Sequence, residues 1–388
     1  MRVVEVADKN SISQFHEFPY TVYKGDPNWV PPLRMMVEAI FDPQKNNVLH
    51  DGQAKRWLIF DGNNCVGRIG AFYTKSYSNE FEQPTGGLCF FECIDSQEVA
   101  NLLFDTAREW LTELGVKAMD GPINIGENFF NWGLLVDGFT QQSFGMNYHP
   151  KYYRKLWENY GFKTYYEQYS YHLNITSPDL PERFWKIAAW MVKKPGYSFE
   201  NFSFKNSEKY IADFLEIHTE AWKKHDNFKP IDPQDLRDLI RESKIMLDTD
   251  FIWFVYHEGK PVAFFMMVPD LNQLLKYFKN GKMSLLKYFK MLWLKKRRVI
   301  NRCRVLVMGV VPKFQKSGIE SAIFWQLRQV LLKKDWYNEM ELSWVGDFNP
   351  KMISIFKATG AKYAKTHLTL RYLFDRNKEF KRCPIIED

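Results

Sequence analysis

The chain has 388 residues, of which 45% are hydrophobic and 26% charged, and a formal net charge of +7. That length is comfortable for two folded domains, and the composition excludes a disordered or collagen-like chain. The five cysteines are odd in number and show no C-x-x-C spacing, which argues against a disulfide framework or a zinc site and fits a reducing cytoplasm.

The start, MRVVEVADKN, reads as a strand without the apolar run of a signal peptide, and no stretch of about 18 uncharged apolar residues follows. WLIFDGNNCVGRIGAFY (57–73) predicts a hairpin bending at Asp61-Gly62. GLCFFECI (87–94) is a strand feeding a helix over 96–115, with Ser96 as its cap and Val99, Leu102, Leu103, Ala107, Trp110 and Leu111 as its apolar stripe. KAMDGPINI (117–125) reads as a strand. YYRKLWENYGFKTYYEQYSYHL (152–173) is a short helix, a glycine stop and an aromatic-rich strand. The stretch ITSPDLPERF (175–184) has two prolines and no periodicity, and predicts a boundary between residues 1–175 and 176–388.

The plan then repeats. FIWFVYHEGKPVAFFMMV (251–268) is a hairpin turning at Glu258-Gly259. RVLVMGVV (304–311) feeds a helix with Ile319, Ala322, Ile323, Gln326, Leu327 and Val330 on one side. MELSWV (340–345) is a strand, and MISIFKATGAKYAKTHLTLRYL (352–373) is again helix, glycine and strand. The hairpin bends lie 197 residues apart and the glycines Gly161 and Gly360 lie 199 apart, which predicts two copies of one α/β domain with mixed sheets flanked by helices. Between Leu271 and Ile319 there are thirteen Lys and Arg and no Asp or Glu. Residues 271–302 interleave those cations with Leu, Phe, Tyr and Trp, and LLKYFK occurs twice, at 274–279 and 285–290. Such a segment predicts contact with an anionic membrane surface; docking of an acidic carrier protein and an amphipathic lid on the core are alternatives.

The stretch VMGVVPKFQKSGIESAIFWQLRQVL (307–331) ends a strand, passes through polar residues and Gly318, and starts a helix at once. Unpaired amides and the helix dipole make such a start an anion site. This order of strand, polar turn and helix, then strand, Asn349, helix and Gly360, resembles the GCN5-related N-acetyltransferase (GNAT) superfamily. Gln315-Lys316-Ser317-Gly318-Ile319 matches its acyl-CoA motif, while the sixth position is Glu320 instead of Gly or Ala. The whole chain also resembles a narrower group, the YghO-like bacterial proteins with tandem GNAT-like halves. That resemblance rests on DPNWVPPLRM (26–35), GLCFFE (87–92), GPIN (121–124), GLLVDGF (133–139), YHPKYY (148–153) and ELSWVGDFNPKM (341–352). It implies two GNAT-like halves, and relatives are linked to N-acylation of sphingoid bases in bacterial ceramide formation.

The resemblance implies an N-acyltransferase using acyl-CoA, or acyl carrier protein, as co-substrate, with no permanently bound cofactor and no metal. The strand amides around Met308 to Val310 would polarise the thioester carbonyl. Those of Lys316, Ser317, Gly318 and Ile319 would hold the pyrophosphate beside Gln315, and Asn349 would hold pantetheine or cap the next helix. The first half has SQEVAN at the corresponding place, with no glycine, and is expected to bind no nucleotide. An alkyl ammonium acceptor must lose a proton, and Glu341, His149 and Glu92 are the candidate bases. Glu339, Glu341 and Ser343 should share one face of their strand. The expected partners are an amine, with a lipid amine as one choice, and the cytoplasmic face of an anionic membrane, with nucleic acid disfavoured. Two alternatives stay open: aminoacyl transfer from charged tRNA to a cell-wall precursor, and a non-catalytic tandem fold that binds lipid or protein.

Overall fold

The computed structural model describes residues 1–126, 130–174, 176–177, 179–222, 231–244, 247–278, 280–315 and 317–386. Lys316, Lys279 and, in the boundary stretch, Ile175 and Pro178 lie outside the described residues. The strands are β1 (Arg2–Glu5), β2 (Gly52–Asp61), β3 (Asn64–Thr74), β4 (Thr85–Cys93), β5 (Ala118–Gly121), β6 (Leu134–Asp137), β7 (Lys163–Asn174), β8 (Tyr197–Asn201), β9 (Ile252–His257), β10 (Lys260–Pro269), β11 (Arg302–Val310), β12 (Glu339–Gly346) and β13 (Lys362–Leu373). Both hairpins form where alternation and the turn residues put them. The second turns through Glu258 and Gly259 with φ of 50° and 79°. Two consecutive positive φ values fit the right-handed twist of the flanking strands.

The strands make one 13-stranded sheet in the order β1-β2-β3-β4-β5-β13-β7-β12-β11-β10-β9-β8, with β6 pairing β13 off the path. The two ends of the repeat are exchanged. β7, which closes the first half in sequence, lies antiparallel to β12 of the second half. β13, which closes the second half, lies antiparallel to β5 of the first. The cores follow the exchange: Tyr171 and Leu173 of β7 pack in the second-half core, and Leu368, Leu370 and Tyr372 of β13 pack in the first-half core. Arg371 sits directly opposite Asp120 across the β13–β5 seam and grips it through two bonds of 2.7 Å.

Helix Gln97–Glu113 covers the first half. Ser96 accepts from the Val99 amide, and Val99, Leu103, Ala107, Trp110 and Leu111 are buried as the spacing predicted, while Leu102 lies on the rim. Each fully buried Leu on such a face contributes about 1.5–3 kcal/mol. Glycine ends both short helices, with φ of 111° at Gly161 and 90° at Gly360. The strand expected over 117–125 is shorter: β5 stops at Gly121, because Pro122 has no amide to continue the ladder.

In each half two parallel strands start together and then part. β4 pairs β5 only over Thr85–Gly87, and β11 pairs β12 only over Arg302–Arg304. β4 runs on to Cys93 and β11 to Val310, so each half holds a V-shaped notch at its centre.

Candidate functional site

The second-half notch leads to the expected anion loop. Helix Ile319–Lys333 begins at Gly318, whose φ is +90°. A Cβ there would meet nothing nearer than Met191 Cγ at 3.6 Å, so the backbone conformation, not crowding, demands glycine. Among the described residues no side chain caps this helix, and Ser317 Oγ instead donates to the Phe314 carbonyl at 2.5 Å. The first amides, including that of Ile319, therefore point out with the positive end of the dipole behind them. Gln315 donates to the Val310 carbonyl at 3.2 Å and accepts from Lys351 at 3.0 Å, so it ties the loop to the end of β11. Asn349 accepts from the Met352 amide at 3.1 Å, so the capping alternative is the contact it makes. Met308, half-buried, and Val310 lie on the free arm of β11. Glu320 is 7% exposed and buried in the first turn, not turned to solvent.

At the crotch of that notch is a buried ion cluster. Glu341 and Ser343 share a face as the alternation predicted, and both are buried; Glu339, two residues earlier, is half-buried. Glu341 Oε2 accepts from Ser143 Oγ at 2.8 Å and from Lys365 Nζ at 3.1 Å, and its Oε1 has no partner among the described residues. Burial alone would raise its carboxyl, but Lys365, Arg302, Ser143 and Arg304 bring it down to about 2. Arg304 donates to the Phe144 carbonyl and to Ser343 Oγ, and Asp270 accepts from the Phe144 amide and from Arg302. The first-half loop through Ser143 and Phe144 is thus bonded to the base of the second-half notch.

The same loop, through Gln142, Phe144 and Gly145, also lines a cavity of about 210 Å³ in the first-half notch. His149 and Glu92 both line it; Glu341 does not. The structure therefore brings together two of the three candidate bases and holds the third apart. His149 Nδ1 accepts from the Leu135 amide at 3.1 Å, which leaves the proton of the neutral ring on Nε2. Burial, with His367 nearby, pulls its pKa down to about 3, so the ring stays neutral. Glu92 Oε2 accepts from Arg68 Nε at 2.6 Å, and Arg68 Nη1 donates to the Phe15 carbonyl at 2.6 Å. Between Cys89 and Glu92 the ladder with β3 slips, and Phe90 takes a φ of +49°. A bulky residue in that region costs energy and marks a place worth inspecting for function.

The two LLKYFK copies have opposite fates. In the first, Leu274, Leu275 and Phe278 are buried, and Leu275 lines the cavity. In the second, on helix Leu285–Lys296, Leu285 is 72%, Leu286 83% and Phe289 59% exposed, as is Trp293 beyond it at 56%. Sequence reasoning missed Ser143, Asp270 and Arg304, which join the halves, and Arg68 and Lys365, which pair Glu92 and Glu341. Arg68 stands alone among apolar strand residues, a signal the sequence carried; Ser143 lies in an aperiodic loop and gave none. No described helix is long and apolar enough to cross a membrane.

Across 379 residues the chain is 27% identical to the bacterial ceramide synthase of Caulobacter vibrioides (strain NA1000 / CB15N), covering 95% of this chain and 96% of that protein. It is 24% identical over 383 residues to protein YghO of Escherichia coli (strain K12), covering 93% and 92%. Its fold matches a tandem GNAT protein from the clavulanic acid biosynthesis pathway with a TM-score of 0.58, at 11% identity, over 97% of this chain and 99% of that one. It also matches a GCN5-related N-acetyltransferase from Sphaerobacter thermophilus with a TM-score of 0.54, at 9% identity, over 98% of each. No family profile matches the chain. The chain is similar to protein YghO over most of its length, and its fold is that of the tandem GNAT proteins.

Proposed function

We propose that this YghO-like chain is an N-acyltransferase that moves an acyl group from acyl-CoA, or from the equivalent acyl carrier protein thioester, to an amine. The observation that carries the reading is the second-half notch opening onto an uncapped helix started by Gly318. In the first half the corresponding helix is capped by Ser96, which occupies the amide a phosphate would need. One donor site is therefore assigned, with pyrophosphate on the amides after Ser317 and pantetheine along the free arms of β11 and β12.

Once neutral, the amine nitrogen attacks the thioester carbonyl, the C–S bond breaks, and the second proton the nitrogen sheds goes to the sulfur, which leaves as the free thiol. Amides from Met308 to Val310 oppose the charge that develops on the carbonyl oxygen. Glu92 takes the ammonium proton. Glu341, whose Oε2 is tied to Ser143 and Lys365, and His149, whose Nδ1 is taken by the Leu135 amide, are occupied otherwise. We assign Glu341 the role of holding Lys365 and Ser143 in place. A long-chain, sphingoid-type amine is the acceptor favoured by similarity to a protein named bacterial ceramide synthase. The exposed Leu285, Leu286, Phe289 and Trp293, set among lysines and arginines, suit peripheral attachment to the anionic cytoplasmic face of a membrane where such an amine resides.

The test is calorimetry with CoA and acyl-CoA, followed by thiol release against a panel of amines. Saturable CoA binding and amine-dependent thiol release are expected. A wild-type protein that binds neither CoA, acyl-CoA nor acyl carrier protein would sink the reading.

A further inference from the structure

The donor reading leaves the first-half cavity without an occupant. It lies in the notch between β4 and the loop after β5, and it shares the Gln142–Gly145 loop with the ion cluster at the base of the donor notch. Its charged groups are Arg68 and Glu92, which pair with one another. Asn124, 7% exposed, also lines it, and its Oδ1 has no hydrogen-bond partner among the described residues. A carboxylate and an unsatisfied carbonyl together suit a cationic hydrogen-bond donor. A thioester offers only acceptors and would leave Asn124 Oδ1 unpaired. The rest of the wall is mostly apolar, with Leu33, Val37, Phe90 and Leu275 among it.

Size and position add to this. A cavity of about 210 Å³ takes a head group and its first carbons, and a longer tail has the mouth to leave through. Pro32 and Met36 are the exposed residues of the lining and mark that mouth. The segment carrying them is bonded to the start of the basic insert: the Arg34 amide donates to the Gly281 carbonyl at 2.9 Å and Arg34 Nε to the Asn280 carbonyl at 3.0 Å. Four residues beyond Gly281 begins the helix that exposes Leu285, Leu286, Phe289 and Trp293. Met35, at 66% exposed, extends the apolar surface on the other side of this junction.

We infer that the first-half cavity is the acceptor site. It holds the head of a long-chain amine between Glu92 and Asn124, while the tail leaves past Met36 toward the apolar face of helix Leu285–Lys296. This rests on the acyltransferase reading for its role in turnover, but the binding can be measured without a donor. The chain's two halves then divide the work, with the thioester in the second and the amine in the first.

The experiment measures binding of a radiolabelled long-chain amino alcohol below its micelle concentration, with no donor present, to wild type, Met36→Trp and Met36→Ala. Met36 is partly exposed, so both variants should fold, and their melting temperatures check this. Wild type and Met36→Ala should bind saturably, and Met36→Trp at least tenfold more weakly, with CoA affinity equal in all three. A diazirine-bearing long-chain amine should label the peptides carrying Met36 or Phe90, an observation independent of any variant. Absence of saturable amine binding to wild type, or labelling confined to the second half, overturns the inference. So does a Met36→Trp protein that loses long-chain acyl-CoA while keeping the amine, since the cavity would then hold the donor's chain. If amine binding behaves as expected while CoA and acyl-CoA fail to bind, the donor reading falls and the acceptor site stands.

Discussion

Replacing Arg371 with Met should break the seam that joins the exchanged strand β13 to the first half. Arg371 is 5% and Asp120 1% exposed, and their two 2.7 Å bonds are the buried ionic contact between these strands. The guanidinium also stacks 3.7 Å from the Tyr165 ring centroid and 4.2 Å from that of Phe81, contacts that Met keeps in part. What the variant loses is the counter-charge. Asp120 retains one bond, from Tyr77 OH at 2.9 Å, in a setting with almost no water. Leaving a buried carboxylate unpaired costs about 3–5 kcal/mol. Adding Asp120→Asn to Arg371→Met removes the stranded charge and keeps the Tyr77 bond, so the double variant should recover at least about 2 kcal/mol. Urea unfolding followed by tryptophan fluorescence and far-ultraviolet circular dichroism measures both. A single variant within about 1 kcal/mol of wild type, or a double variant no better than the single, would refute the claim that this pair clamps the exchange.

Other outcomes follow from the site. Gly318→Asp puts a side chain on a backbone at φ +90° and a carboxylate beside the free amides; CoA affinity should fall at least 100-fold while the melting temperature drops by only a few degrees, read by calorimetry and thermal unfolding. Glu92→Gln should lower kcat ~10²-fold or more with partial recovery at high pH, whereas Glu341→Gln, which strips Lys365 of its partner, should act first on stability; the reverse pattern would return the base to Glu341. His367 is fully buried, and burial, aided by Lys365 and Arg304, lowers its pKa to about 4. The unfolded chain thus takes up a proton near pH 6.5 that the folded chain refuses, so its contribution is complete above that pH. It declines by about 3 kcal/mol toward pH 4, a slope that His367→Gln should flatten in pH-dependent urea titrations. The protein should sediment with anionic liposomes in a salt-sensitive way, at about 1 kcal/mol per nearby cation, and Trp293→Glu should abolish this; indifference to such liposomes at low salt would remove the membrane assignment.

The sequence by itself determined the local plan and its repetition. Alternation set the hairpins, Ser96 and the helical spacing set the helix over Gln97–Glu113, and Gly161 and Gly360 stopped their helices in a conformation other residues resist. Gly318 marked the anion loop for the same reason, since a positive φ at a helix start leaves a glycine in the sequence. Each of these signals lies within one or two turns of the residue that carries it. Only the tertiary structure decided which strands met. β7 and β13 are both aromatic-rich antiparallel strands after a glycine stop, and nothing local distinguishes pairing within a half from exchange between halves. The partners that decide it, Arg371 and Asp120, stand 251 positions apart. The same distance hid the meaning of Glu341: alternation placed it on a shared face, but Ser143 and Lys365, brought from an aperiodic loop and an exchanged strand, turned that face into a buried ion cluster. The two LLKYFK copies make the point most simply, because one buries Leu274, Leu275 and Phe278 while its twin turns Leu285, Leu286 and Phe289 to solvent. Their local propensities are identical, so burial was set by what the rest of the fold placed against each.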